Sequence, residues 1–409
     1  MLATCKPKAR RTSTGPSPLP SFDVPLTERD LAQLWEGQLF PPQALTTARG
    51  QPLKVIYRGL LGRGPGPDFR DAVIQAPWDT LRGDVELLVR ASDFQRHGHH
   101  RDPAYDRLAL HLVFWPDEPP DTVLASGRSV PVAALAPLAE RRSEEIQGWL
   151  ERPTLWREPC RSANDRMGGE AVGGVLDRLG DIRFRRRTAE FRRALRGQDP
   201  DELLYRALLE ALGYGGNREP FRSLALRLPW RELRQMLRDL PAGGRAVAAV
   251  ELMMEAGRRP PALIWRLAGL RPGNHPARRL EAAAHLAARQ AETGLAIGLG
   301  GLLDGDASQA IASLTLKLRG RTVIGAGRAV EMLTNSLLPF LAAAGMEPQP
   351  GRAMDLYRAL PRPARYGCVH HLDEAVRPAV SVDAHRQQGM LFLLRNYCTQ
   401  GRCGSCPLS

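Results

Sequence analysis

Asp68, Asp84, Glu86, His97, His99, His100, Asp102 and His111 lie close together in a chain of 409 residues. Carboxylates and imidazoles ligate metals and move protons near neutral pH, and no other stretch gathers as many of them. The Gly/Pro-rich turn from Gly62 to Pro67 delivers Asp68 to the start of a strand, and Glu86 follows eighteen residues later in the next strand. Two carboxylates on neighbouring strands can hold one divalent cation, Mg²⁺ or Mn²⁺, which activates water and neutralises phosphate charge. His97 or His99 would then carry the proton or add a ligand, with His111 supporting from behind. The same residues also allow a small-substrate metallohydrolase with metal at His97, His99 and Asp102. A nucleotide-binding loop is excluded, because a strand rather than a helix follows Gly62–Gly66 and the Lys-Ser/Thr end is missing.

A second set of ligands is Cys398, Cys403 and Cys406, spaced C-x4-C-x2-C, with Gly401 and Gly404 letting the backbone fold tightly. Tetrahedral zinc and iron–sulfur clusters normally take four ligands. The fourth must come from elsewhere: Cys160 at the domain junction, with Cys368, His370 and His371 as rivals. Cys5 lies in the tail.

The elements that must position these residues read as two domains behind a tail. Residues 1–25 are basic and then Pro/Ser-rich, the composition of a disordered segment. Over 26–150, Thr27 caps a helix with Asp30 at its third position, Leu31, Leu34, Trp35 and Leu39 form its apolar face, and Pro41-Pro42 stops it. Strands are expected at 52–60, 70–76, 83–91 and 108–115, the last apolar enough to be covered on both faces. A Ser92-capped helix runs over 93–100, and Ser129 to Val132 adds an edge strand. Residues 151–409 read as all-α, with helices near 176–196, 203–212, 221–228, 233–240, 246–254, 263–270, 278–291 and 330–344, closed by the C-terminal cysteines. The fold class is therefore α+β or α/β, a mixed-sheet domain followed by a helical one.

The net charge of +13 and pI near 10.1 favour a polyanionic partner, with nucleic acid the main expectation. Apart from Lys6, Lys8, Lys54 and Lys317 the positive residues are Arg, which suits bidentate phosphate binding. Arg90, Arg185, Arg186, Arg192, Arg271 and Arg278 are the candidate contacts. No apolar run is long enough for a membrane span and no secretory signal is present, so a cytoplasmic protein with reduced thiols is expected.

Pro67-Asp68 followed by Glu86 on the next strand resembles the PD-(D/E)XK nuclease motif. That resemblance implies a restriction-endonuclease-like sheet and metal-dependent cleavage of nucleic acid, DNA above all. The sequence departs from the motif at Leu88, where Lys is expected. Arg90 shares the strand face but stays charged, so Lys54 or a histidine would have to stand in.

A longer series resembles the bacterial family known as domain of unknown function 2851. It includes Leu34-Trp35, Gln38-Leu39-Phe40, Gly66-Pro67-Asp68-Phe69, the run from Gly83 to Phe114, and Glu158-Pro159-Cys160. It continues with Asn217, Pro220-Phe221, Leu270-Arg271-Pro272, Asn274, Pro276, Asn335, Pro339, Tyr397-Cys398 and Cys403-x-x-Cys406-Pro407. The resemblance implies that Cys160 joins the C-terminal trio, and it supplies no activity. The family's strand reads Glu-Ile-His, which places a His where this chain has Leu88. Two readings follow: a metal-dependent nuclease, or a non-catalytic nucleic-acid-binding scaffold that keeps a degenerate nuclease fold and a structural metal.

Overall fold

The computed structural model describes residues 27–38, 45–62, 65–135, 159–213, 215–267, 270, 272–319, 324–363, 365–377, 379–400, 402 and 405–409. The described elements fall into two compact units, one built on a mixed β-sheet and one helical, so the protein is α+β.

The first unit opens with helix α1 (Glu28–Gly37), and its start is the one the sequence predicts. Asp30 N donates to Thr27 Oγ1 at 3.3 Å and Thr27 N donates to Asp30 Oδ2 at 2.8 Å, a reciprocal cap. The helix ends earlier than expected, at Gly37, because Gln38 turns left-handed at φ 47°. Its apolar face lays Leu31, Leu34 and Trp35 on the sheet, and Trp35 Nε1 donates to Arg58 O at 2.9 Å.

The strands are β1 (Thr46–Thr47), β2 (Lys54–Tyr57), β3 (Leu60–Leu61), β4 (Phe69–Gln75), β5 (Thr80–Arg90), β6 (Leu108–Trp115), β7 (Asp121–Val123) and β8 (Ser129–Ala134). Their order is β1-β8-β6-β5-β4-β2, with β3 also on β4 and β7 also on β8. β2, β4 and β5 form an antiparallel meander, after which β6 and β8 add in parallel. Alternation along the strands separates two cores. Val85, Leu87, Leu110, Leu112 and Phe114 pack under α1, while Leu88, Val113, Val130 and Val132 pack under Phe94 and Tyr105. β6 is buried along nearly its whole length, as a doubly covered strand must be.

Two expectations change in this unit. β8 is not an edge strand: β6 pairs with one side of it and β1 and β7 with the other. The helix expected over 93–100 stops at Arg96 as α2 (Asp93–Arg96), because Gly98 is left-handed at φ 79°, and 3-10 turns at His99–Arg101 and Pro103–Tyr105 follow. Ser92 does not cap it. Its N and Oγ donate instead to Asp117, at 3.1 and 2.8 Å.

Gly83 lets the parallel partner approach. A Cβ there would lie 2.2 Å from Arg107 O, at the entry to β6. Gly83→Ala should therefore lower the urea midpoint of unfolding, at a cost of about 2–3 kcal/mol. An unchanged midpoint would show that β6 can shift to make room.

The helical unit centres on a 26-residue helix, Gly169–Ala194, which buries Val172, Leu176, Leu179, Phe184 and Phe191. Ala384–Asn396 crosses it at close range, since a Cβ on Gly389 would meet Leu176 O at 2.2 Å. Most expected helices form, but the described part of 263–270 does not. There the Asn217 side chain brackets the backbone of Arg266, donating to its O at 2.9 Å and accepting from its N at 2.8 Å. Those groups would otherwise enter a helical ladder. Among the described residues no helix is long and apolar enough to cross a membrane.

Candidate active site

Asp68 precedes β4, and Glu86 lies inside β5, the strand paired with it. Their backbones hold each other's carboxylates. Asp68 N donates to Glu86 Oε2 at 3.2 Å, and Leu87 N donates to Asp68 Oδ2 at 3.0 Å. Each carboxylate is thus fixed by one oxygen. Burial, the Asp68 charge and the Glu28 charge outweigh the hydrogen bond and push Glu86 up to about 9. Burial also raises Asp68, against the hydrogen bond from Leu87 and with help from Glu28.

His99 reaches this pair, with Nε2 3.5 Å from Glu86 Oε1. Burial and the neighbouring His97 lower its pKa, which favours the neutral, proton-accepting imidazole. Its ring leans on Tyr105 at 4.3 Å and on Phe94 at 5.4 Å between centroids. Beneath Phe94, at 5.1 Å, lies His111, register partner of Glu86 and fully buried. His111 Nδ1 hydrogen-bonds with Thr122 Oγ1 at 2.7 Å, while Nε2 has no hydrogen-bond partner among the described residues. Burial pushes His111 down to about 3, so it stays neutral and acts only through its neighbours.

The structure gathers only part of the predicted set. Asp68, Glu86 and His99 converge, whereas His97 is exposed and meets the site only through the edge of the His99 ring, at 5.6 Å. Asp84 belongs to a separate arrangement in which it accepts from Asp71 N at 3.0 Å, while Arg107 binds Asp71 at 2.6 Å. Lys54 cannot replace the missing lysine. It pairs with Gln75, seven residues along the chain from Asp68 and roughly 20 Å away in an extended strand. Arg90 lies toward the far end of β5, 3.6 Å from Asp117. Leu88 is 2 % exposed and part of the second core, so no proton carrier works from that position.

Sequence reasoning missed Glu28, Phe94 and Tyr105. Glu28 looked like an ordinary first-turn acid, yet its charge acts on Asp68, Glu86 and Tyr105. Phe94 and Tyr105 have only their flanking positions in the histidine run to signal them.

No group of three or more His, Cys, Asp or Glu side chains among the described residues is arranged to hold a metal. Cys403 and Arg271 lie outside the described residues, as does the 1–25 tail. Cys160 is buried, and Cys368, Cys398 and Cys406 are half-buried. The chain end returns to the helix that follows Cys160: Arg166 Nη2 donates to Leu408 O at 2.9 Å, and Leu408 is fully buried. Arg185, Arg186, Arg192 and Arg278 are exposed on their helices.

A family model described as protein of unknown function DUF2851 matches residues 28–243, just over half of the chain. No curated protein and no solved structure matches.

Proposed function

The chain belongs to the DUF2851 family, whose description assigns no activity, and from the site itself we propose a metal-dependent phosphodiesterase acting on nucleic acid. The observation that carries this reading is the mutual backbone anchoring of Asp68 and Glu86 on adjacent strands. It leaves Asp68 Oδ1 and Glu86 Oε1 as hard oxygen donors in a crowded acidic pair, a donor set that fits Mg²⁺ or Mn²⁺. Such a cation supplies Lewis acidity and charge neutralisation. Asp68 and Glu86 would hold it, and Glu28 adds negative charge nearby. His99, neutral and beside Glu86, takes a proton from water, while Phe94 and Tyr105 fix its ring. Exposed Arg185, Arg186, Arg192 and Arg278 supply non-specific phosphate contacts, which makes binding weaken steeply with salt.

The buried Leu88 supports a second reading, a nucleic-acid-binding scaffold on a nuclease-like sheet. One experiment separates them. Incubated with Mg²⁺ or Mn²⁺, the wild-type protein should cut a labelled DNA, and Asp68→Ala should lose at least about 100-fold in rate while still binding DNA. Binding without cleavage under any divalent metal supports the scaffold. Equal cleavage by Asp68→Ala removes the nuclease assignment.

We further infer that Cys160, Cys398, Cys403 and Cys406 hold one zinc ion or iron–sulfur cluster, supported by the return of the chain end to Arg166 in the helix that follows Cys160. Protein purified without oxygen should carry one such centre, visible by elemental analysis and, for a cluster, by absorption near roughly 400 nm. Cys160→Ser should deplete it. A wild-type chain free of zinc and iron would end the idea.

A further inference from the structure

Two side-chain stripes of the helical unit line one cleft. On helix Gly169–Ala194, Arg187, Glu190, Phe191 and Ala194 recur at the three- and four-residue spacing of one helix face. On helix Pro200–Leu212, Leu203, Arg206, Ala207 and Glu210 do the same. They enclose an open cleft of about 240 Å³, to which Gln198 in the intervening turn and Arg222 of helix Arg218–Arg227 contribute. Pockets for drug-sized ligands begin at roughly 300 Å³, so this one suits a small metabolite.

Part of the lining is apolar. Phe191, Leu203 and Ala207 are buried, and the two alanines leave room that larger side chains would fill. The charged part is unequally paired. Arg187 is already engaged: Nε donates to Asn335 O at 3.1 Å, Nη1 donates to Glu190 Oε2 at 2.7 Å, and the guanidinium lies over Phe191 at 4.5 Å. Glu190 Oε1 takes no hydrogen bond among the described residues. Glu210 is shared by Arg222 at 3.6 Å and Arg218 at 3.8 Å, both too long for hydrogen bonds. Arg206 Nη2 donates to the neutral Gln198 Oε1, and among the described residues Arg206 makes no ion pair.

A half-buried guanidinium held by one amide is open to a carboxylate, which its planar fork grips through two parallel hydrogen bonds. The unused Glu190 oxygen, lining the same cleft, suits an ammonium group. Two acids in the lining oppose a polyanion.

We propose that this cleft binds a free amino acid with an apolar side chain. Arg206 takes its carboxylate, Glu190 takes its ammonium group, and Phe191, Leu203 and Ala207 receive the side chain. The site lies within the helical unit and does not rest on the nuclease reading.

The test is calorimetric titration of the full chain with L-leucine, L-methionine and L-phenylalanine in turn. At least one should saturate at one per chain. Its amide, which lacks the carboxylate, and its N-acetyl form, which lacks the ammonium group, should each bind at least about tenfold more weakly, as loss of a charged hydrogen-bonding partner implies. Arg206→Ala and Glu190→Gln should each weaken the amino acid by a similar factor. Ala194→Leu, which fills the cleft from a half-buried position, should abolish binding, while Arg193→Ala, exposed and outside the lining, should leave it unchanged. Failure of all three amino acids to saturate the wild-type protein, or equal affinity for the acid and its amide, overturns the proposal without any variant having to fold. Wild-type affinity in Arg206→Ala overturns it as well. Saturation by adenosine monophosphate where the amino acids fail would show that the cleft takes a phosphate, and the amino-acid assignment falls.

Discussion

Glu86→Gln should make the metal-free protein more stable than wild type at pH 9, with the advantage vanishing toward pH 5. The folded carboxyl titrates at about 9 against an ordinary 4.5, so the folded state binds this proton more tightly than the unfolded chain. The stability this provides is complete below about 4.5 and is lost as pH rises through about 9. Gln keeps the shape of the protonated acid and an oxygen that can accept from Asp68 N, and it never ionises. Each pH unit in the window can contribute up to about 1.4 kcal/mol. Relaxation around the charge reduces the total to about 2–3 kcal/mol, the cost of burying a poorly compensated polar group. Urea unfolding at pH 5, 7 and 9 with a chelator present measures it. Parallel pH profiles for the two proteins would show that Glu86 is not held protonated. Adding Mg²⁺ or Mn²⁺ at pH 9 should stabilise wild type and leave Glu86→Gln unchanged, because only the former offers two carboxylates.

Phe94→Ala should cost about 3–5 kcal/mol and also disturb the site, since a buried phenylalanine loses both transfer energy and packing. Phe94 is 1 % exposed, and its ring touches His99, Tyr105 and His111 at 5.4, 5.7 and 5.1 Å. Its removal admits water to His111 Nε2, which has no hydrogen-bond partner among the described residues. The His111 pKa should then climb from about 3 toward its ordinary 6.5, a change that an NMR titration detects. Phe94→Leu retains most of the volume and should recover more than half of the stability. A His111 resonance that still fails to titrate in a folded Phe94→Ala protein would argue that something other than this ring excludes water.

Much of the outline was readable from residue pattern alone. Thr27 and Asp30 mark the start of α1, apolar continuity marks β6 as doubly covered, and alternation puts Glu86 and Leu88 on one face of β5 with Val85 and Leu87 on the other. These features depend on near neighbours in sequence, and local periodicity carries them. The same holds for the family, because its motifs are linear. What sequence could not supply is which of the clustered ligands meet. Gly98 breaks the helix under the histidines, turning His99 toward Glu86 and leaving His97 exposed. The pairing of β2 with β4 puts Lys54 at the wrong end of the sheet, and packing on a second core makes Leu88 structural. The charge of Glu28 reaches the acids, and Arg183 parts from its exposed neighbours on the same basic helix by hydrogen-bonding to Gln388, far along the chain. A residue type fixes what a side chain can do. Its pKa and partners depend on burial and on distant charges, and those exist only once the strands and helices have packed.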